Sequence, residues 1–399
     1  MQLLKLMILL VMLMASCKKQ DPVKPAEISS FSPAKGAAGN LVNIIGKNFG
    51  EDSLLATVSF NGKQAPKIIF YADTLIIAEV PSGTTTGKIS VQLQSNTYSS
   101  GSDFIILPGT WTRKKDNNAV GFDVRSDGAA FTIGNTGYYG LGYNGGTTLK
   151  DMASYDVTTD TWTKLPDGGL DFQSGIAMVM NNKAYVGLGQ AFSIIPSIMK
   201  QIWEFDPSGN KWTRKKDFPG TARWAAIGIS SGNKAYAGLG DPGGGGILKD
   251  WWEYDAGTDS WTQKKDIPST NAIWWPAGFN INGRIFVGSG AYGFNKEWYE
   301  YVPSTDTWVR RADFPGRIIF SPASFVIDNK GYVAGGGEEC WAYDPVTDSW
   351  TQQAFIRNII AGRAFAINNK GYFLTGAGGG GSTNSNYWNK EVWEFTPGN

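Results

Sequence analysis

An apolar run ending in a glycine-rich knot occurs six times along the chain, at residues 138–142, 185–189, 236–240, 286–290, 332–336 and 372–376. An aromatic and acidic run follows each knot and ends at Asp156, Asp206, Asp255, Val302, Asp344 and Thr396. Beyond each of the first five runs a tryptophan arrives at a constant offset: Trp162, Trp212, Trp261, Trp308 and Trp350. Short apolar runs bounded by turn residues read as strands. A unit of roughly 40–50 residues holding several strands is the signature of a β-propeller. Such a ring is a scaffold, so function is expected in the loops on one face.

The sixth unit reaches Asn399 before a tryptophan can follow Thr396. A spare copy lies ahead of the first unit: residues 111–116 read WTRKKD, identical to residues 212–217. The outermost strand of the last blade is therefore expected to come from the start of the domain. An open ring would leave unpaired strand edges and an apolar blade face in water; closure in this way removes both.

The glycine-rich strand end, the aromatic after it and the tryptophan at fixed offset resemble kelch repeats over residues 108–399. The resemblance implies four-stranded blades whose first strand, a, lines the axis. Ahead of it, residues 27–107 form a separate unit. Residues 28–49, ISSFSPAKGAAGNLVNIIGKNF, resemble the start of an IPT/TIG domain. Asn61-Gly62 is a two-residue hairpin signal. About seven short strands in this stretch predict an immunoglobulin-like sandwich, which as an IPT/TIG-like domain is expected to act as a spacer or interaction module. The fold class is thus all-β: a six-bladed kelch-type propeller behind an N-terminal immunoglobulin-like sandwich.

Residues 1–17 read as an export signal. Lys5 supplies the positive start, residues 6–13 are wholly apolar, and Met14-Ala15-Ser16-Cys17 resembles a bacterial lipobox. The apolar run is too short to remain as a spanning helix. Cys17 is the expected lipidation site and residues 18–26 the linker behind it. Lys18, not Asp, follows the cysteine, so the resemblance implies the outer membrane. Net charge is +1, with no basic excess to hold a phosphate backbone, which argues against nucleic acid.

The chain has no histidine and two cysteines. That excludes Ser-His-Asp and Cys-His catalysis, His-containing metal sites and a four-cysteine zinc site. Copper oxidases of the galactose oxidase type use His ligands that this chain lacks. Neither a metal nor a cofactor is expected. Cys340 is expected as a buried filler.

What remains is a loop face. The loops between strands b and c and the crossovers from strand d to the next strand a should emerge on the same side. They carry Arg223, Trp224, Trp274, Trp275, Tyr292, Arg317, Arg357, Arg363 and Trp388. Aromatic faces and arginine forks suit sugar rings, carboxylates and peptide side chains. Two roles stay open for Trp224, Trp274 and Trp275: ligand rim, or packing between blades. Glu204, Glu253, Glu300 and Glu394 are expected as strand-to-strand partners of Lys and Arg. The leading expectation is a non-catalytic envelope lipoprotein that binds a glycan or a protein. The alternative, on likeness to exported sialic-acid mutarotases, is a carbohydrate isomerase using Glu338 or Glu339 beside Arg317 or Arg357.

Overall fold

The computed structural model describes residues 24–398 except 52–55, 193–196, 245, 247, 272, 291–294, 318–320, 336–338, 356–361, 375 and 377–389. Two compact units meet at Ile106 and Leu107.

The first unit is a sandwich of a four-stranded and a five-stranded sheet. Alternating apolar positions of the strands Leu41–Lys47, Leu75–Glu79, Ala56–Phe60 and Gly87–Leu93 face inward, so that Val42, Ile44, Ile76, Val58, Phe60, Ile89 and Val91 are buried. Asn61 and Gly62 both take positive φ, and Phe60 pairs with Lys63 across them. Two short strands, Lys35–Gly36 and Lys63–Gln64, raise the count above the seven expected.

The second unit contains six four-stranded antiparallel sheets. Blade 1 is built from Ala129–Ile133, Thr136–Gly140, Met152–Asp156 and Thr161–Leu165 as strands a to d. Blades 2 to 5 repeat this order, with strands a at Ile176–Met180, Ile227–Ser231, Ala277–Ile281 and Ala323–Ile327. Blade 6 takes Arg363–Ile367, Lys370–Leu374 and Val392–Thr396 as strands a to c, and Thr110–Lys114 as strand d. Trp111 pairs with Phe395 in that last ladder. Each strand a contacts the strands a on either side, around to blade 1 again.

The glycine-rich knots have a steric origin. A glycine at or near the end of strand b lies against a carbonyl at the start of strand c. A Cβ on Gly140, Gly187, Gly238 or Gly288 would stand 2.2, 1.9, 2.1 or 2.2 Å from that oxygen. Two residues on, Gly142, Gly189, Gly240 and Gly290 take φ of 93°, 91°, 88° and 120°, open to glycine at little cost.

Neighbouring blades are joined at the outer strand by a three-residue clamp. In blade 3 the Tyr254 hydroxyl donates to Asp259 at 2.6 Å, and Asp259 accepts the Lys216 backbone N–H of blade 2 at 3.1 Å. The Trp261 indole N–H donates to the Lys216 carbonyl at 3.2 Å. One peptide residue of the preceding blade is thus held by both its N–H and its C=O. Tyr155, Asp160 and Trp162 grip Lys115 in the same way, Tyr301, Asp306 and Trp308 grip Lys265, and Tyr343, Asp348 and Trp350 grip Ala312. At the closure the Trp111 indole holds the Ala354 carbonyl at 2.9 Å, while the Pro108 carbonyl accepts the Ala354 N–H at 2.7 Å in place of the aspartate.

Within four blades a glutamate on strand c lies between a cation of strand b and one of strand d. Glu204 pairs with Lys183 and Lys215, Glu253 with Lys234 and Lys264, Glu300 with Arg284 and Arg311, and Glu394 with Lys370 and Lys114. Burial alone would raise the Glu253 carboxyl, but hydrogen bonds from Lys234 and Tyr236 and the charge of Lys264 outweigh it and hold the group below its ordinary 4.5. The other three glutamates shift the same way for the same reasons. A carboxylate depressed in the folded state stabilises above its unfolded pKa and loses that contribution as acid titrates the folded form. Stability should therefore be level above about pH 5 and fall below about pH 4.5. Replacing all four glutamates by glutamine should flatten that acid limb in urea titrations taken between pH 3 and 6; an unchanged limb would assign the acid sensitivity to other groups.

Candidate functional site

In blades 1 to 3 the loop face is built by backbone pairing between the d–a crossover and the b–c loop that follows in the same blade. Ser126 pairs with Tyr143, Gln173 with Gln190 and Trp224 with Asp241. Two residues before strand a, in blades 1 to 5, the crossover passes through a residue of positive φ: Asp127 (54°), Ser174 (51°), Ala225 (52°), Trp275 (48°) and Ser321 (37°). None is glycine, so each position carries strain of order 1 kcal/mol. Hydrogen bonds between blades hold this collar. Ser174 N–H donates to the Asp127 carbonyl (2.9 Å), Ala225 N–H to the Ser174 carbonyl (2.8 Å) and Trp275 N–H to the Ala225 carbonyl (3.0 Å).

The collar and the adjoining starts of strands a enclose a cavity of about 150 Å³ with walls from all six blades. Most walls are glycine, alanine or proline; Ser174, Trp275, Ser321, Ser324 and Arg363 supply its chemistry. Arg363 donates from Nε to the Gly128 carbonyl (2.9 Å), from Nη1 to Ser321 Oγ (2.5 Å) and the Gly362 carbonyl (3.0 Å), and from Nη2 to Asp127 Oδ1 (3.1 Å). Ser321 donates to the same Asp127 oxygen at 2.5 Å. Blades 1, 5 and 6 meet in this cluster, whose charges cancel. Its ion pair is partly open, at 17% exposure for the Arg363 side chain and 13% for that of Asp127. From blade 4 the Trp275 indole N–H reaches Ser174 Oγ of blade 2 at 3.4 Å. Trp224 meets the Trp275 ring edge to face, centroids 5.1 Å apart. Burial, against the weaker pull of Arg125 and Arg363, pushes Tyr139 up to about 12 and keeps it a neutral phenol.

Several expected site residues fall elsewhere. Arg223 is 0% exposed. It forms a bidentate pair with Asp250 (2.7 Å to each oxygen), donates to the Leu239 and Thr221 carbonyls, and stacks over Phe218. It cannot serve as a ligand fork; its role is to lock the blade 3 crossover. Arg125 repeats the arrangement with Asp151 in blade 1. Trp274 is half-buried, and its indole N–H lies 3.4 Å from the Gly246 carbonyl. Glu339 accepts the Arg317 backbone N–H and the Trp341 indole N–H, each at 2.8 Å. It meets Arg317 through the backbone and is not among the cavity walls. The residue two before the strand c tryptophan makes the same bond in other blades: Gln201 with Trp203, Asp250 with Trp252 and Glu391 with Trp393. Cys17, Tyr292, Glu338, Arg357 and Trp388 lie outside the described residues. Cys340 is buried, and burial raises its thiol pKa, so it stays protonated.

Asp127, Ser174 and Ser321 escaped the sequence reading, which followed aromatics and arginines. A signal was available: these residues, with Ala225 and Trp275, stand at one repeat position, two residues before strand a. Among the described residues no group of His, Cys, Asp and Glu is arranged to hold a metal.

The Arg223–Asp250 pair makes a stability prediction. Removing the cation leaves a largely buried carboxylate, so Arg223→Met should lower the unfolding free energy by about 3 kcal/mol or more. Urea denaturation checks this; a variant as stable as the parent would return Arg223 to the list of ligand contacts.

Fold and site together define an all-β protein with a six-bladed propeller and an immunoglobulin-like domain. Residues 26–106 match the IPT/TIG domain family. No curated protein matches the chain. Among solved structures the chain is similar to one described as YjhT, with TM-score 0.57 and 14% identity over 67% of this chain and 93% of that one. It is also similar to a structural-genomics protein of unknown function from Bacteroides thetaiotaomicron, with TM-score 0.50 and 13% identity over 94% of this chain and 99% of that one. At these identities the likeness is one of fold.

Proposed function

We propose that this is a non-catalytic binding lipoprotein of the cell envelope whose propeller holds a glycan at the mouth of its axial cavity. The observation that carries the reading is the cavity itself: one half-buried tryptophan, three serines and Arg363 around a space of about 150 Å³, with Asp127 behind them as the ion-pair partner of Arg363. An engineered apolar cavity of about that size takes one six-membered ring. Here the walls add hydroxyls and the Arg363 guanidinium, groups that exchange hydrogen bonds with sugar hydroxyls, while Trp275 offers an apolar surface. The IPT/TIG domain is read as the spacer between anchor and propeller.

A glycan array with the tagged mature protein should give hits, and Trp275→Ala and Asp127→Asn should each weaken binding at least about tenfold by calorimetry. A second reading, isomerisation of an acidic sugar in the manner of sialic-acid mutarotases, draws on the same cation–carboxylate pair and moves its chemistry from Glu338 and Glu339 to Asp127 and Arg363. Anomerisation of N-acetylneuraminate, followed by NMR in parallel, separates the two. Turnover abolished by Asp127→Asn would replace the binding reading, and silence in both assays would sink both in favour of a protein partner.

The proposed anchor is the Cys17 thioether, with the outer membrane as destination. The parent should partition with membranes and incorporate labelled fatty acid, and Cys17→Ser should do neither. A soluble, unlabelled parent would remove the anchor from the proposal.

A further inference from the structure

The six joints of the ring are not equal. Five hold one residue of the preceding blade by both its N–H and its C=O: Lys115, Lys216, Lys265, Ala312 and Ala354. At the joint between blades 1 and 2 the equivalent residue is Pro166, which has no N–H to give. The clamp of blade 2 is altered to match. Phe205 replaces the tyrosine, and Asn210, at φ 47°, replaces the aspartate. Trp212 keeps its place, but its indole N–H is buried without a hydrogen-bond partner. Lys114 and Lys215 lie 3.9 and 3.7 Å from Asp160 and Asp259 across their joints; here Leu165 and Asn210 stand at the matching repeat positions, and no ion pair can form.

We infer that the propeller opens first between blades 1 and 2, and not at the closure where its two ends meet. The joint retains its apolar packing, with Phe205 against Tyr138 and Trp212. It lacks the directional bonds that fix the rim elsewhere, and that missing clamp sets it apart; the unpartnered Trp212 N–H does not, since the buried indoles of Trp251 and Trp298 in blades 3 and 4 also have no partner. Opening there frees the outer strand Thr161–Leu165 from the c–d hairpin of blade 2. Blade 6 is well held: Trp111 and Pro108 complete its grip on Ala354, and Asp160 and Trp162 hold its strand d at Lys115. The ring is therefore a closed circle with one hinge, placed by substitutions at three positions of a single joint.

Hydrogen exchange on the whole protein tests this. The cross-strand amides of Thr161–Leu165 should exchange at least about tenfold faster than those of Ser260–Lys264 and Thr110–Lys114. The triple variant Pro166→Lys, Phe205→Tyr, Asn210→Asp should bring them to the level of the other blades. Fastest exchange at Thr110–Lys114, rates equal in all six blades, or a folded triple variant with unchanged rates would each overturn the inference. If the triple variant does not fold, the converse serves. Asp259→Asn with Trp261→Phe should raise exchange in Lys211–Lys215 to the level of Thr161–Leu165, and no rise would count against the hinge.

Discussion

A propeller ring holds only if each blade is tied to the next, and here the tie is a single peptide residue gripped from both sides. An aspartate in one hairpin accepts its N–H and a tryptophan indole donates to its C=O. The outer strand would otherwise show free backbone groups to water and to other chains, the general liability of sheet edges. The clamp satisfies one such residue at five of the six joints. It also explains why tryptophan recurs at constant offset from the aspartate: both must reach the same residue, and the spacing of Asp259 to Trp261 recurs in Asp160 to Trp162, Asp306 to Trp308 and Asp348 to Trp350. Other side chains do not substitute readily. The indole is at once a large apolar filler against the clamp tyrosine and a donor with one fixed N–H.

At the axis the same problem has a different solution. Strands a come closest there, and each keeps one edge without a strand partner. Small polar side chains from neighbouring blades fill part of the need. Ser230 Oγ accepts the Val179 N–H at 2.7 Å, Ser324 Oγ accepts the Gly278 N–H at 3.2 Å, and Asn280 donates to the Ser230 carbonyl at 2.7 Å. At the loop-face end the positive-φ collar continues the circuit through backbone bonds, and the Arg363–Ser321–Asp127 cluster links three blades by side chains. The cavity is thus a by-product of how six edges are satisfied, and its polar walls belong to that circuit.

The blades and their number were legible in the sequence because each obeys a local rule repeated six times. The knots report a Cβ clash at Gly187 or Gly238, and the Trp111 segment reports its partner by identity with residues 212–217. The charge ladder was legible too, since Glu253 and its cations lie at matching repeat positions. The site was legible only in part. Arg223 and Arg363 look alike in the chain; one is sealed under its crossover on Asp250 and the other faces the cavity. What separates them is the acid each meets across the fold, Asp250 from the adjoining loop and Asp127 from another blade. Sequence offers composition at a crossover and not the partner. Ser174 and Ser321 gave no chemical signal; their importance comes from position at the collar.

The pairing of Arg363 also constrains the kind of ligand the mouth admits. A free guanidinium in a closed cavity would draw an anion, but this one already spends its donors on Asp127, Ser321 and two carbonyls. To bind a carboxylate there, the ligand would have to displace Asp127 and leave that charge in a mostly buried place, at a cost of several kcal/mol. A neutral polyol faces no such penalty. It can accept from and donate to the pair as it stands and rest against Trp275, with no unpaired charge left behind. On the proposed reading, exclusion of anions then follows from the ring's own architecture, because the carboxylate that guards the arginine comes from the crossover that begins blade 1, whose backbone carbonyl also accepts the Ser174 N–H.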